Sequence, residues 1–153
     1  MIIKRLVVII GMSFLITGCA TDKYGDVFYG FRSPSSTTDL GVQYSLGRGV
    51  PKDDKRAFYY FSQAAEKGDP LAQNKLGYMY AVGKGTPRDD EKSFIFYHQA
   101  AEHGLASAQY NLGLLYLYGR GTPVNKVKAK EWIQKSATAG FEPARVALKR
   151  YFS

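Results

Sequence analysis

Cysteine and histidine are scarce in this chain of 153 residues, which has one cysteine and two histidines. A single cysteine excludes an internal disulfide framework, a zinc site built on several thiolates and a thioredoxin-type redox pair. The two histidines, His98 and His103, are five positions apart, so on a helix they would lie about 140° apart and could not share a metal ion. We therefore expect no metal and no other cofactor.

Acidic residues are outnumbered by basic ones, 13 against 21, which gives a net charge of +8. The excess is concentrated at the end of the chain, because residues 122–153 carry seven lysines and arginines and only two glutamates. Such an end could bind lipopolysaccharide phosphates or an acidic protein, and a solvated run of charges is the simpler alternative. With 45% hydrophobic and 14% aromatic residues, the composition is that of a packed protein.

The N-terminal stretch has the pattern of an export signal. Two basic residues, Lys4 and Arg5, precede an apolar run over residues 6–16. A run of this length is short for a membrane span and typical of the core of a signal peptide. It ends in Ile16-Thr17-Gly18-Cys19, which resembles the lipobox of bacterial lipoproteins. The resemblance implies that Cys19 is acylated and becomes the mature N terminus.

This pattern predicts three segments and a location. The segments are a lipoprotein signal peptide over residues 1–18, a lipid-anchored tether over 19–35 and a folded domain over 36–153. Ala20 follows the cysteine, and by analogy with enterobacterial sorting a residue other than aspartate there predicts the outer membrane, with the domain facing the periplasm. Export separates the chain from cytoplasmic nucleic acid, so we expect no nucleic-acid partner.

A repeat of 36 residues is the strongest pattern in the chain. Leu40-Gly41 recurs as Leu76-Gly77 and Leu112-Gly113, and tyrosines, glycines and prolines downstream keep the same spacing. Within a unit, apolar residues spaced by three and four positions form two stripes, one before and one after a glycine-rich turn. Each unit is therefore predicted to be a pair of helices.

The glycine-rich turn of the second unit is Gly83-Lys84-Gly85-Thr86-Pro87. We expect Gly85 to provide the left-handed cap of the first helix, and the proline to prevent the helix from continuing. The turn lacks the GxxxxGK[ST] pattern of a phosphate-binding loop and follows no predicted strand. Asp89 or Asp90 then caps the second helix, which accounts for this acidic pair without acid-base catalysis.

Helix pairs of this kind cannot bury their apolar faces alone, and stacking buries them. The sequence therefore predicts an all-α fold, a right-handed α-solenoid of three 36-residue helix-turn-helix repeats with a C-terminal capping helix from Pro143. The pattern A-x-x-x-L-G-x-x-Y-x-x-G-x-G, followed by A-x-x-[WYF]-[YF]-x-x-A-A-E-x-G with Ser93 in place of one alanine, extends over residues 72–104. It resembles the Sel-one-like repeat (SLR) family, a relative of the tetratricopeptide repeats.

The resemblance implies a non-catalytic scaffold or adaptor that binds another protein, because most members of the family do so. We expect this partner to be an envelope protein or a secreted effector. Two alternatives stay open. Exported SLR lipoproteins similar to this chain serve next to type VI secretion effectors, which implies an immunity protein that neutralises a secreted phospholipase. Some cysteine-rich relatives have been connected with penicillin binding, which implies a β-lactamase-like cell-wall enzyme, but this chain lacks their paired cysteines.

Two surfaces are candidates for binding the protein partner. On the first helices, the face opposite the packing stripe is expected to line the concave side of the solenoid, unless the C-terminal helix folds over part of it. On the second helices of units one and two, apolar residues form a secondary patch, unless aromatic residues of the tether cover it. The first-helix candidates are Asn74, Tyr78, Tyr110, Leu114, Leu117 and Tyr118, and the secondary patch consists of Phe58, Tyr59, Phe94 and Ile95.

Overall fold

Residues 36–152 are described by the computed structural model, and within them seven helices and no strands occur. The predicted all-α fold is confirmed. None of these helices is both long and apolar enough to cross a bilayer. The expectations for the signal peptide, Cys19 and the tether lie outside the described residues. The helices are α1 (Thr37–Leu46), α2 (Asp54–Glu66), α3 (Pro70–Val82), α4 (Asp90–Glu102), α5 (Ala106–Tyr118), α6 (Lys126–Thr138) and α7 (Glu142–Tyr151).

The helices pack as three hairpins followed by a single helix. The first helix of each hairpin (α1, α3, α5) packs on the second (α2, α4, α6), α2 packs on α3, α4 on α5, and α6 on α7. Each helix therefore contacts mainly its neighbours along the chain, which is the arrangement of a solenoid. The largest apolar side chains that are fully buried all come from the predicted stripes and are Phe61, Leu76, Leu112 and Ile133.

The starts of the second helices are capped by side chains at one register. Asp53, Asp89 and Asn125 each accept hydrogen bonds from backbone N–H groups two or three residues further on. Capping was predicted for Asp89 or Asp90, and the structure assigns it to Asp89. The backbone N–H of Lys92 lowers the pKa of the Asp89 carboxyl, since it stabilises the ionised form.

The glycine-rich turns contain two left-handed glycines each. Gly47, Gly83 and Gly119 are the residues that end α1, α3 and α5, with φ angles of 70°, 71° and 67°. The prediction that Gly85 caps α3 is wrong, because Gly85 lies two residues beyond the cap. Its φ is also left-handed, 72°, and a Cβ there would lie 2.2 Å from the carbonyl oxygen of Asp54 in the preceding hairpin. Glycine is needed at this position where one hairpin meets the next.

Each hairpin depends on a glycine in the middle of its first helix. A Cβ on Gly113 would lie 2.5 Å from the side chain of Ile133 on α6, and one on Gly77 would lie 2.8 Å from the Tyr97 ring on α4. At the corresponding position α7 carries Lys149. α7 therefore lacks the glycine through which the first helices of the three hairpins approach their second helices. It packs on α6 at the position of the predicted capping helix.

Candidate protein-binding surface

Exposed apolar side chains recur at one register of the first helices. Leu46, Val82 and Tyr118 are the last residues of α1, α3 and α5, and their exposed fractions are 54%, 52% and 56%. Tyr78, one turn before Val82, is 48% exposed. We call these four residues the first-helix surface. Contiguous exposed apolar groups mark interaction sites, whereas scattered ones do not.

Polar contacts hold the first helices beside one another. The Thr38 hydroxyl of α1 donates a hydrogen bond to the carboxylate of Asp69, the residue before α3. The side-chain amide of Asn111 on α5 donates to the Oδ1 atom of Asn74 on α3, at 3.4 Å. These contacts join α1 to the start of α3 and α3 to α5, and Leu46, Val82 and Tyr118 are the last residues of the three helices. Asn74, one of the predicted binding residues, has a structural contact within this arrangement.

Two of the predicted binding residues lie under the C-terminal helix. Tyr110 and Leu114 are partly buried, and the Tyr110 ring lies 5.5 Å from the ring of Phe141, the residue before α7. Both pack against a buried cluster that α6 and α7 share. The C-terminal helix thus covers part of this face, which was the alternative interpretation of the sequence. Partner binding by Tyr110 and Leu114 stays a prediction. The cluster consists of Ile133, Ala144 and Ala147.

The remaining predicted residues of the first helices differ in exposure. Leu117 is partly buried and packs against the core. Tyr118 is exposed, and its hydroxyl donates a hydrogen bond to the hydroxyl of Tyr151 on α7 at 3.0 Å. This bond raises the pKa of the Tyr118 hydroxyl, because it favours the protonated form. Among the predicted residues of the first helices, Tyr78 and Tyr118 are therefore the most exposed.

Sequence reasoning missed two members of the first-helix surface, Leu46 and Val82. Both residues lie where an apolar stripe ends, and the sequence does not distinguish the end of a stripe from the start of a turn. The repeat itself contained the signal. Counting back from Tyr118 in steps of 36 residues reaches Val82 and then Leu46, so a residue proposed in one unit points to its counterparts in the others.

Two aromatic residues assigned to the secondary patch serve as packing residues between hairpins. The Phe58 ring meets the Tyr80 ring edge to face, with centroids 5.4 Å apart, and the Phe94 ring meets the Tyr116 ring in the same way at 5.3 Å. Both phenylalanines are partly buried against the core. Both phenylalanines therefore contact the following first helix, which helical spacing alone does not show. A role of Phe58 and Phe94 in partner binding stays a prediction.

The other two residues of the secondary patch reach the surface to different degrees. Ile95 on α4 is 50% exposed. Tyr59 on α2 is partly buried, and its hydroxyl accepts a hydrogen bond from the Gln63 side chain at 2.7 Å. A role of Ile95 and Tyr59 in binding stays a prediction.

Ion pairs occupy the glycine-rich turns. Arg120, in the third turn, donates to Asp90 of the preceding hairpin at 2.7 Å, and Arg88 donates to the same carboxylate at 2.7 Å. Hydrogen bonds from Arg88 and Arg120 hold the pKa of Asp90 well below its usual range. In the second turn, Lys84 lies 3.4 Å from Asp54 in the same way. Lys84 and Arg120 thus bind the preceding hairpin, whereas Arg88 binds within its own, and Asp90 is an ionised structural partner.

Within the part of the chain that the structure describes, neither histidine belongs to a cluster of potential metal ligands. His98 lies between aromatic rings, and its Nδ1 atom is 3.4 Å from the Glu102 carboxylate one turn later. His103 follows the end of α4 and is exposed. Within residues 36–152, no three histidine, cysteine, aspartate or glutamate side chains are close enough together to hold a metal ion.

The repeat corresponds to a known one. The family model of the Sel1 repeat matches three times without gaps, over residues 34–69, 70–105 and 106–141. These windows cover well over half of the chain and coincide with the three hairpins. Among curated proteins, none matches the chain.

Solved structures with the same fold include other repeat proteins of this type. A Sel1 repeat protein from Oxalobacter formigenes is 40% identical over 75% of this chain and 86% of its own, with a TM-score of 0.69. A protective antigen present in uropathogenic Escherichia coli strains, which displays an SLR fold, is 39% identical over 68% of this chain but only 22% of its own, with a TM-score of 0.67. The Helicobacter pylori cysteine rich protein B is 23% identical over 73% of this chain and 88% of its own, with a TM-score of 0.64, and shows the fold alone.

Proposed function

Since the chain belongs to the Sel1 repeat family, we propose that it is a non-catalytic scaffold or adaptor that binds another protein through its first-helix surface. Sel1 repeat proteins typically act as protein-interaction scaffolds and are generally not enzymes. The observation that carries the proposal is the row of apolar residues at the ends of the first helices, each about half exposed.

The chemistry of this surface suits a protein partner. Tyrosine side chains provide large contact areas at a low cost in conformational entropy, and two of the four residues, Tyr78 and Tyr118, are tyrosines. One exposed apolar residue recurs at the end of each first helix, so an extended segment of a partner can contact Leu46, Val82 and Tyr118 in turn. Because the residues lie on packed helices and not on loops, the surface is formed before the partner arrives.

We further propose that a lipid on Cys19 holds the solenoid at the outer membrane, facing the periplasm. The proposal rests on the residues Ile16-Thr17-Gly18-Cys19 and on Ala20 after them. Several acyl chains on one residue anchor a protein stably, whereas one chain binds reversibly. Cys19→Ser is expected to abolish labelling of the chain with radioactive palmitate. Normal labelling of this variant would refute the lipid anchor and leave the scaffold proposal untouched.

Crosslinking inside the bacterium tests the binding surface. A benzophenone amino acid placed at Tyr78 or at Val82 of the full chain is expected to crosslink one and the same partner. The matched control is Val127 on α6, which is 69% exposed and lies outside both candidate surfaces. Crosslinks from Ile95 instead of Val82 would move the binding surface to the secondary patch. A secreted phospholipase as the partner would favour the immunity role over the adaptor role.

Substitution then measures the contribution of the surface. Tyr78→Ala combined with Tyr118→Ala is expected to weaken binding of the crosslinked partner by a factor of roughly 30 or more, since one good anchor contributes ~2 kcal/mol or more. Circular dichroism and the melting temperature should stay nearly unchanged, because both side chains are exposed. Val127→Ala should leave binding unchanged. Equal binding by all variants would contradict the proposal.

A further inference from the structure

A groove of about 550 Å³ lies between α2, α3 and α4, on the side of the solenoid where the second helices pack. Its walls combine aromatic rings with uncharged polar side chains. Glu66 provides the one formal charge among the described residues that line it, and this charge is negative. The aromatic residues of the lining are Phe58, Tyr80 and Phe96, and the uncharged polar ones are Ser62, Gln73 and Gln99.

The corresponding junction of the next unit has larger side chains. His98 and Trp132 stand where the groove has Ser62 and Phe96, 36 residues earlier. The rings of His98 and Trp132 contact each other, with centroids 6.0 Å apart. In the groove, the Ser62 hydroxyl instead donates to the carbonyl oxygen of Phe58 at 2.9 Å, so the short side chain lies along its own helix. The smaller residues leave the space that the two rings occupy in the next unit.

The later junction also holds a cation that the groove lacks. There the Nζ atom of Lys135 lies 4.2 Å from the centre of the Trp132 ring, a cation–π contact. The residue that corresponds to Lys135 is Gln99, which carries no charge. Lys92 lies near the Tyr80 ring, at 5.4 Å. Phe96, which corresponds to Trp132, therefore has an uncharged Gln99 on its helix where Trp132 has Lys135.

A buried amide in the groove has an acceptor atom without a partner. Gln73 is 5% exposed, and its Oε1 atom has no hydrogen-bond partner among the described residues. In the later junction, the counterpart Gln109 also has an Oε1 atom without a partner among the described residues, although its Nε2 atom donates to the carbonyl oxygen of Ala101 at 3.3 Å. The unpartnered acceptor is therefore common to both junctions and does not by itself distinguish the groove.

We propose that this groove binds a basic side chain, lysine or arginine, of the protein partner. One face of the Phe96 ring stacks on the Tyr80 ring, with centroids 5.7 Å apart. The cation lies over the other face, as Lys135 lies over Trp132, its stem lies along the aromatic wall, and its N–H groups donate to Glu66. The site rests on the protein-binding function proposed above and adds a second contact, away from the first-helix surface. The chain itself shows the same chemistry one repeat later, where its own lysine provides the cation.

Short peptides provide the probes. The full chain, labelled with ¹⁵N and held in detergent micelles, is titrated with acetyl-Gly-Lys-Gly-amide and acetyl-Gly-Arg-Gly-amide, and the neutral acetyl-Gly-Gln-Gly-amide is the control. The basic peptides are expected to cause saturable NMR shifts confined to the region of Ser62, Gln73 and Gln99. The neutral peptide should bind at least about fivefold more weakly, which reflects the loss of one cation–π contact and one charged hydrogen bond.

Exchanging residues between the two junctions gives matched variants. Ser62→His with Phe96→Trp and Gln99→Lys fills the groove with the residues of the later junction and should abolish the shifts. The reverse exchange at the later junction, His98→Ser with Trp132→Phe and Lys135→Gln, should add a second binding site with the same preference. Glu66→Gln changes only an exposed charge, so it tests the site without risk to folding, and we expect it to weaken binding of the lysine peptide about two- to fivefold.

The outcomes separate this proposal from the proposed function. Neutral and basic peptides that bind equally well would overturn the basic-side-chain site. So would binding of the lysine peptide that is as strong in the filled variant and in Glu66→Gln as in the unchanged chain. If no peptide binds while a partner still crosslinks from Tyr78 and Val82, the groove proposal fails alone. If no partner crosslinks from any position, the scaffold function itself fails, whatever the peptides do.

Discussion

Alanine substitutions at one register of the glycine-rich turns test how closely successive hairpins meet. Gly49, Gly85 and Gly121 occupy the same position in the three units and have φ angles of 74°, 72° and 66°. Their surroundings differ, because the first unit has no described hairpin before it. A Cβ on Gly85 or Gly121 would lie 2.2 or 2.0 Å from a backbone oxygen of the preceding hairpin, whereas a Cβ on Gly49 would have nothing within 4 Å.

The expected loss of stability for each substitution follows from two effects, the left-handed φ angle and the contact of the new Cβ with a backbone oxygen. A left-handed conformation costs a residue with a side chain ~1–2 kcal/mol, and the smaller conformational freedom of alanine in the unfolded chain offsets ~0.4–1 kcal/mol. Gly49→Ala should therefore lower the free energy of unfolding by about 1 kcal/mol. Gly85→Ala and Gly121→Ala add an overpacking cost of ~1–3 kcal/mol, because a backbone oxygen cannot turn away. We expect a total of about 2–4 kcal/mol for each.

Urea unfolding of the full chain, followed by circular dichroism, measures these differences. The end units of a solenoid can unfold separately from the middle, so Gly49→Ala alone is an incomplete control. Gly104 lies inside the stack, has a φ of 82°, and a Cβ there would have nothing within 4 Å. Gly104→Ala therefore measures the cost of the left-handed conformation alone in the middle of the solenoid. If Gly85→Ala and Gly121→Ala cost no more than Gly49→Ala and Gly104→Ala, the close contact between hairpins is not what requires glycine.

Three further predictions concern single side chains. Asp90→Asn should lower the free energy of unfolding by ~1 kcal/mol or less at pH 7. Because the pKa of Asp90 in the folded chain lies below its ordinary value of 3.8, its contribution to stability is complete above pH 3.8 and is lost as the pH falls below it. An equal effect of the substitution at pH 7 and pH 2.5 in urea unfolding would contradict the pairing. Ile133→Ala should cost ~2–5 kcal/mol in the same assay, since Ile133 is 0% exposed; Val127→Ala, 69% exposed, should cost almost nothing, and comparable losses would argue against the packing of α6. Asp69→Ala should cost ~2 kcal/mol or more by thermal unfolding, because it removes both the cap of α3 and the partner of the buried Thr38 hydroxyl, and a loss no larger than that of a simple surface change would refute this double role.

The sequence by itself determined the repeat, the helices and most of their ends. Leu76 and Leu112 are fully buried, as their place in the apolar stripes predicts, because the period of a helix brings residues three and four positions apart to one face. Capping is also local, since a side chain such as that of Asp53 reaches only the next turn of backbone. The family followed from the same local pattern. These features need no knowledge of which hairpin lies beside which.

Tertiary structure alone decided how the hairpins meet and what stays exposed. The contact of Gly85 with Asp54, the pairing of Arg120 with Asp90 and the cover of α7 over Tyr110 all join residues about 30 positions apart. They depend on the angle between neighbouring helices, which the sizes of side chains on both helices set together. The spacing of apolar residues within one unit is equally compatible with a filled or an open junction between two hairpins. Ser62 and Phe96 are smaller than the residues one repeat later, but this difference creates a groove only when α2, α3 and α4 are packed together. A void is a property of the space between helices and not of any one helix.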